Sequence, residues 1–376
     1  MKHRGRAPPN DERDFTPRLP GVHFPIGQFL PFPAKIIPMS QTVVSSAPQS
    51  PSPAAPPKRA ITTKPRLSDR IFRSIVTSGG LSSLVILGLI FIFLLWQGYG
   101  TLKTQGIHFL TGSNWNAALD ANGNFDAKHS QFGIAAMLIG TLVCATIAIV
   151  ISVPLSVFTA LFLTFYAPER IKKFMVTVVD LMAAFPSILY GIWGFFVLMP
   201  TAVYVAKLLH KYFGWIPFFK MEVPVFDRSP FVAGIILAIM VIPIVTSISR
   251  EIFAQTPLDR VQAAYALGAT RWGMIRAVVF PYARGGIVGG AMLGLGRAMG
   301  ETVAVYTVLN IVYQINWHIL LGAGGNVASM ILLKFGEAGP DEVKALMAAG
   351  LVLFVVTLLV NSLANIIVRR SSKGGN

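Results

Sequence analysis

The chain has 376 residues, of which 53% are hydrophobic and 13% charged, a balance that excludes an ordinary soluble domain and indicates an integral membrane protein. Its net charge of +16 does not signal a nucleic-acid ligand, because 12 of its 32 Lys and Arg fall in residues 1–73 and most others flank apolar segments. That is the placement of orientation charge at a membrane. Cys144 is the only cysteine and lies inside an apolar run, so neither a disulfide framework nor a cysteine-based metal site can be built.

Residues 1–65 hold 14 of the 25 prolines, interleaved with Ser and Ala, and cannot bury enough apolar surface to fold. They are expected to form a disordered cytoplasmic tail, within which Met39 offers an alternative start. Residues 66–74 alternate basic and apolar side chains at helical spacing. This suits a short amphipathic helix at the membrane interface, or equally a basic flank continuous with the first span. The first long apolar run begins near Ile75, too far from Met1 for an ordinary cleaved signal peptide, and reads as a retained span.

Apolar runs follow at Ile75–Trp96, Ile134–Phe165, Phe174–Met199, Phe231–Ser249, Ile287–Val312 and Ala345–Val368. The expected fold is all-α and integral to the membrane, with six transmembrane helices inside a domain of residues 75–370. The second run exceeds the roughly 20 residues needed to cross a bilayer, and Pro154 is expected to kink it. Six spans place the basic tail, the 168–173 turn, the 250–284 loop and the basic C-terminus on one side. By the positive-inside rule that side is cytoplasmic, with both termini on it. The outer loops are then 98–133, 200–230 and 313–343. Loop 200–230 is an exception to the rule, carrying Lys207, Lys211, Lys220 and Arg228 against Glu222 and Asp227.

Three features within this frame carry chemistry. Arg297 and Glu301 stand four residues apart inside the fifth apolar run, and an ionisable residue at that depth costs at least ~2.5–3.5 kcal/mol on insertion scales. Read as one continuous helix, the run puts both on one face a turn apart. They form either a structural ion pair or part of an anion path, in which Arg297 binds the anion and Glu301 orients or gates it. In the 250–284 loop, helix formers up to Leu267, then Gly268, a second helical stretch and Pro281 describe two short amphipathic helices joined at a glycine turn and ended by a proline. Both faces need a partner surface. In the third run, Pro186 is expected to open a kink, whose freed carbonyl groups face the pathway or which serves packing. Asp180, nearer the cytoplasmic side, is expected to pair with a basic residue at the interface. Gly289, Gly290, Gly294, Gly296 and Gly300 make one side of the fifth helix small, which permits close packing. No phosphate-binding loop of the Walker type occurs, and the six histidines have no metal-ligand spacing.

The spacing of Ala263, Ala264, Gly268 and Pro281 resembles the EAA loop of ABC importer permeases, which docks on a cytoplasmic ATPase. Gln262 stands where that family often has Glu, and Phe280 where Leu usually precedes the proline. Gly140-Thr141-Leu142, the 185–191 segment with Pro186, the 266–270 segment and Gly296–Thr302 together resemble the phosphate-import permeases over about residues 66–370. Val303-Ala304-Val305 and the long first outer loop with Trp115 fit the PstC type better than its PstA paralogue. The resemblance implies a MetI-like permease in a bacterial inner (plasma) membrane, with Arg297, Glu301 and Thr302 on the substrate pathway. It implies Gln262, Ala263, Ala264, Gly268 and Pro281 as the coupling residues; the residues themselves suggest a gating or packing role for Asp180, Pro186, Gly296 and Gly300. The implied partners are a second permease (PstA-like), an ATPase dimer (PstB-like) that carries ATP and Mg, and an external phosphate-binding protein (PstS-like). No cofactor or metal is expected on this chain. A sulfate or molybdate permease is the runner-up. An ion-coupled carrier or channel would share the six spans but leave the amphipathic 262–281 segment unexplained.

Overall fold

The computed structural model describes residues 67–118, 126, 129–221 and 223–373. The chain divides into the units Met1–Pro65 and Arg66–Asn376. The proline-rich tail, Met39 and Glu222 lie outside the described residues. Six helices are long and apolar enough to cross a membrane: Leu67–Gln105, Ala135–Tyr166, Ser187–Phe213, Pro230–Ala254, Arg271–Gly300 and Pro340–Ile366.

The first helix, α1 (Leu67–Gln105), has 39 residues and at 1.5 Å per residue is about 58 Å long, twice the thickness of a bilayer core. It absorbs residues 67–74 of the basic flank without a break. Gly98 is its one buried residue, and most of its remaining surface exposes large apolar side chains, as a lipid-facing helix does. A short α2 (His108–Thr111) and a two-stranded hairpin, β1 (Trp115–Asn116) with β2 (Gln131–Phe132), cover one end of the bundle. Trp115 donates its indole N–H to Glu342 Oε1 at 2.7 Å, tying the hairpin to α13 (Pro340–Lys373).

The centre of the bundle is the packing of α3 (Ala135–Leu161) on α7 (Pro230–Ala254). Gly140, Ala145, Ala148, Ser152 and Ser156 form the buried small face of α3, which lets the helix backbones approach closely. Pro243 lies inside α7, and Ser156 Oγ donates to the neighbouring Ile242 carbonyl at 3.0 Å. Ser229 caps α7, accepting from Val232 N, with Pro230 in the first turn.

Two of the expected spans differ from the structure. The third was expected over 174–199, but α4 (Glu169–Ala184) stops there and α5 (Ser187–Trp193) restarts after an extended pair, Phe185 and Pro186, each with ψ 137°. Proline lacks the N–H and its ring drives the preceding residue out of the helical region. Pro186 therefore separates two helices rather than kinking one. The crossing helix instead runs from Ser187 through a wide turn at Gly194–Leu198 into α6 (Met199–Phe213).

The fifth span, expected over 287–312, begins earlier and breaks earlier. After α8 (Leu258–Ala266), α9 (Arg271–Met274) passes through a wide turn at Ile275–Val279 into α10 (Phe280–Gly300). Pro281 does not end this helix. It sits just past the wide turn, in the first turn of α10, where an i−4 partner is already dispensed with. The helix ends at Gly300, because Glu301 is extended with ψ 126°, and only the six-residue α11 (Val303–Val308) follows. The chain then returns through α12 (Val327–Phe335).

Candidate translocation site and coupling surface

Arg297 lies in the last turn of α10, where the negative end of the helix dipole favours a cation. Its exposed side chain borders a cleft of about 680 Å³. Gly289, Met292, Leu293 and Gly296 of the same helix, Ile244 of α7 and Asn361 of α13 complete the lining. Glycines make this space. A Cβ at Gly289 would touch nothing within 4 Å, and one at Gly296 would lie 3.7 Å from Asn361 Nδ2. The side-chain oxygen of Asn361 is buried without a hydrogen-bond partner. This residue was not singled out from the sequence, although an uncharged amide within the last apolar run was a readable signal.

Tyr190 of α5 donates its hydroxyl to Met182 O at 2.7 Å. That carbonyl, at the end of α4, also receives Phe185 N. The helix end freed by Pro186 is thus capped by Tyr190. Asp180, expected to meet a base, instead accepts from Ser247 Oγ at 3.4 Å.

Arg297 and Glu301 make no ion pair with each other among the described residues. The break removes Glu301 from the face that a continuous helix would share. Its Oε1 accepts from Ala304 N at 3.4 Å, capping the first turn of α11, and its carbonyl accepts from Asn326 Nδ2 at 2.9 Å. Thr302 contributes its carbonyl to Ser329 Oγ at 2.9 Å. Asn326 in turn caps α12, accepting from Ser329 N at 2.6 Å. Thr141 of α3 accepts from Val327 N at 3.1 Å, and a Cβ at Gly140 would collide with the Gly325 carbonyl. The Gly140-Thr141 pair therefore clamps the returning segment against α3, and that segment pins the break open.

The 250–284 region places Gln262, Ala263 and Ala264 on α8 and Gly268 at the turn that follows it. Helix α8 has no buried residue. Gly268 has φ +81°, a left-handed conformation that glycine adopts without strain, and its N–H reaches Tyr265 O at 2.9 Å while Ala269 N reaches Ala264 O at 3.0 Å. The inner face is anchored: Met274, Ile275 and Val279 pack with Phe253, Ala160 and Leu161, and with half-buried Ala264 and Ala269. On the outer face Gln262, Ala263 and Gly268 are exposed, as are Leu258 and Leu267 at 72% and 89%. Pro281 is exposed as well but lies on α10 beyond the turn.

A family model described as "Binding-protein-dependent transport system inner membrane component" matches residues 152–373. The chain belongs to this family. The matched region runs from α3 to α13 and contains both the Arg297 cleft and the Gly268 turn. Among relatives, the chain is 39% identical over 305 residues to "Phosphate transport system permease protein PstC 2" of Mycobacterium bovis, covering 80% of this chain and 92% of that protein. It is 36% identical over 313 residues to "Phosphate transport system permease protein PstC" of Xylella fastidiosa, covering 82% and 93%. A bacterial alginate ABC transporter, solved in complex with a pentasaccharide-bound periplasmic protein, is similar in fold with a TM-score of 0.51. The match is 17% identical and covers 82% of this chain and 99% of that one. At that identity the likeness concerns architecture alone. The chain is thus a multi-pass membrane permease of the inner membrane component type.

Proposed function

We propose that this chain is a transmembrane permease subunit of an ATP-driven importer of inorganic phosphate, forming half of the translocation pathway beside a second, PstA-like permease. The reading is supported by relatives named for phosphate transport, and by one structural observation above others. A nearly continuous helical rod, Arg271–Gly300, has the exposed Gly268 turn at its base and Arg297 in its last turn. At 1.5 Å per residue it spans about 45 Å, so movement of the turn is carried to the Arg297 cleft without passing through a flexible joint.

In this reading an ATPase dimer, which holds ATP and Mg, docks on the outer face of α8 and the Gly268 turn. A phosphate-binding protein delivers the anion on the opposite side of a bacterial inner membrane, and both termini of this chain are cytoplasmic. Arg297 supplies a planar fork of donors matched to a tetrahedral oxyanion, with Asn361 as a neutral neighbour and Glu301 and Thr302 shaping the adjoining break. ATPase closure draws the coupling turn inward, and the rod alternately exposes the cleft. The chain performs no bond chemistry itself.

Reconstitution of the complete transporter in liposomes tests this. ATP-dependent phosphate uptake that survives excess sulfate and falls at least tenfold in Arg297→Gln is expected, since a charge-assisted hydrogen bond contributes about 1.5–3 kcal/mol. Uptake that sulfate or molybdate abolishes would instead assign a different oxyanion. Uptake without ATP would point to an ion-coupled carrier.

A further inference from the structure

A second basic cleft lies beyond the break, where the sequence carries cations on the side expected to have few. Arg228 lines a cavity of about 400 Å³ with Tyr306 and Asn310 as its polar neighbours and Phe195 and Phe196 among its apolar walls. Three observations mark it as built rather than incidental. Arg228 holds φ +52°, the one left-handed non-glycine residue among those described, and such strain persists only where the surroundings impose it. The surroundings do so here: Asn310 N donates to Arg228 O at 3.2 Å, Phe231 N to Ile319 O at 3.0 Å and Gly322 N to Val225 O at 2.7 Å. The side chain is also held, its guanidinium 5.5 Å from the Phe195 ring centroid and one amino group donating to Thr307 O at 3.4 Å. An arginine fork stacked on an aromatic face is pre-organised, and its other N–H groups make no hydrogen bond among the described residues.

Position adds the rest. Arg297 precedes the break at Glu301–Thr302, and Tyr306 and Asn310 follow it. Tyr190, whose hydroxyl caps the end of α4, and Ile192, which lines the Arg228 cavity, sit on the same short α5. The two arginine clefts therefore flank one broken segment.

We propose that Arg228 forms an outer binding site for the transported tetrahedral oxyanion, occupied before the anion passes the break to reach Arg297. This rests on the importer reading above. A cation against low-dielectric aromatic walls concentrates anions locally, and the Tyr306 hydroxyl provides a second donor. The site gives a reason for an Arg at a backbone position that disfavours it.

The test uses the complete transporter with Arg228→Gln and Arg228→Cys. Cys144 is buried, so the introduced thiol is the accessible one in this chain. Arg228→Gln is expected to slow phosphate uptake at low outside concentration about tenfold or more, while binding of the phosphate-loaded binding protein to the membrane complex stays unchanged. Arg228→Cys is expected to be equally slow and to recover after reaction with an aminoethyl methanethiosulfonate, which restores a positive charge, but not after the neutral methyl reagent. Normal uptake by Arg228→Gln overturns the site and leaves the function reading intact. So does equal recovery with the neutral reagent, which would mean the side chain merely fills space. Lost binding of the loaded binding protein would also overturn it, assigning Arg228 to docking. Absence of uptake by the unsubstituted complex would refute the importer reading, and this site with it.

Discussion

Replacing Gly268 separates backbone conformation from packing at the coupling turn. Its φ of +81° is outside the range of ordinary L-residues, yet a Cβ built there meets nothing within 4 Å. The cost of substitution is therefore conformational, about 1–2 kcal/mol for alanine and more for a β-branched residue. Asn tolerates the left-handed region best among the others, so the order of function should be Gly, Asn, Ala, Val. A penalty of about 1.4 kcal/mol is a tenfold shift against the native turn, enough to rotate the 262–267 face away from its partner. The core cluster of Met274, Ile275 and Val279 is untouched, so thermal stability of the purified permease should hardly change. Copurification of an ATPase with the membrane subunits, and stimulation of its hydrolysis by loaded binding protein, are the readouts. If Gly268→Val retained normal coupling, or if Ala and Asn were equally impaired, the conformational argument would be wrong.

Three further outcomes follow from the site. Glu301→Gln should alter phosphate uptake while leaving assembly and melting temperature intact, because a glutamine oxygen still accepts from Ala304 N; normal uptake would refute a role for the charge. Asn326→Ala removes both the α12 cap and the bond to Glu301 O, so a loss of about 1–2 kcal/mol should appear as a lower melting temperature, and an unchanged one would show that the break is held by something else. Tyr313, outside the spanning helices, has its hydroxyl pushed up from 10.0 to about 12, by burial first and by the charge of Glu342 second. The folded state then holds this proton more tightly than the unfolded chain, so its contribution is full below pH 10 and is lost as pH rises to about 12. Because that hydroxyl is buried without a partner, Tyr313→Phe should be no less stable at neutral pH and should lose less stability across that alkaline window. A steeper alkaline loss in the variant would contradict this assignment.

Local chemistry made much of the protein legible. Six apolar segments are dictated by the length a bilayer demands, the Gly268 turn by a glycine between two helix formers, and Arg297 by the cost of a charge among apolar neighbours. Pro186 was also visible, but proline chemistry alone did not distinguish a kinked helix from two helices. Only the structure, in which Tyr190 caps the carbonyl of Met182, shows the second.

The break at Glu301 was hidden for a different reason. From Ile287 to Val312 the apolar pattern is continuous, and nothing local to it stops a helix. Its partners are Asn326 and Ser329, some 25 residues on, themselves held by Thr141, 186 residues away from Val327. In the same way Asn361 meets Gly296 only because α13 packs beside α10. Residue type and spacing thus determined which segments cross and which residues carry charge or turn the chain. Tertiary contacts alone decided where the fifth helix ends and which side chains share a cleft with Arg297, because backbone groups freed inside a membrane must find partners wherever the fold supplies them.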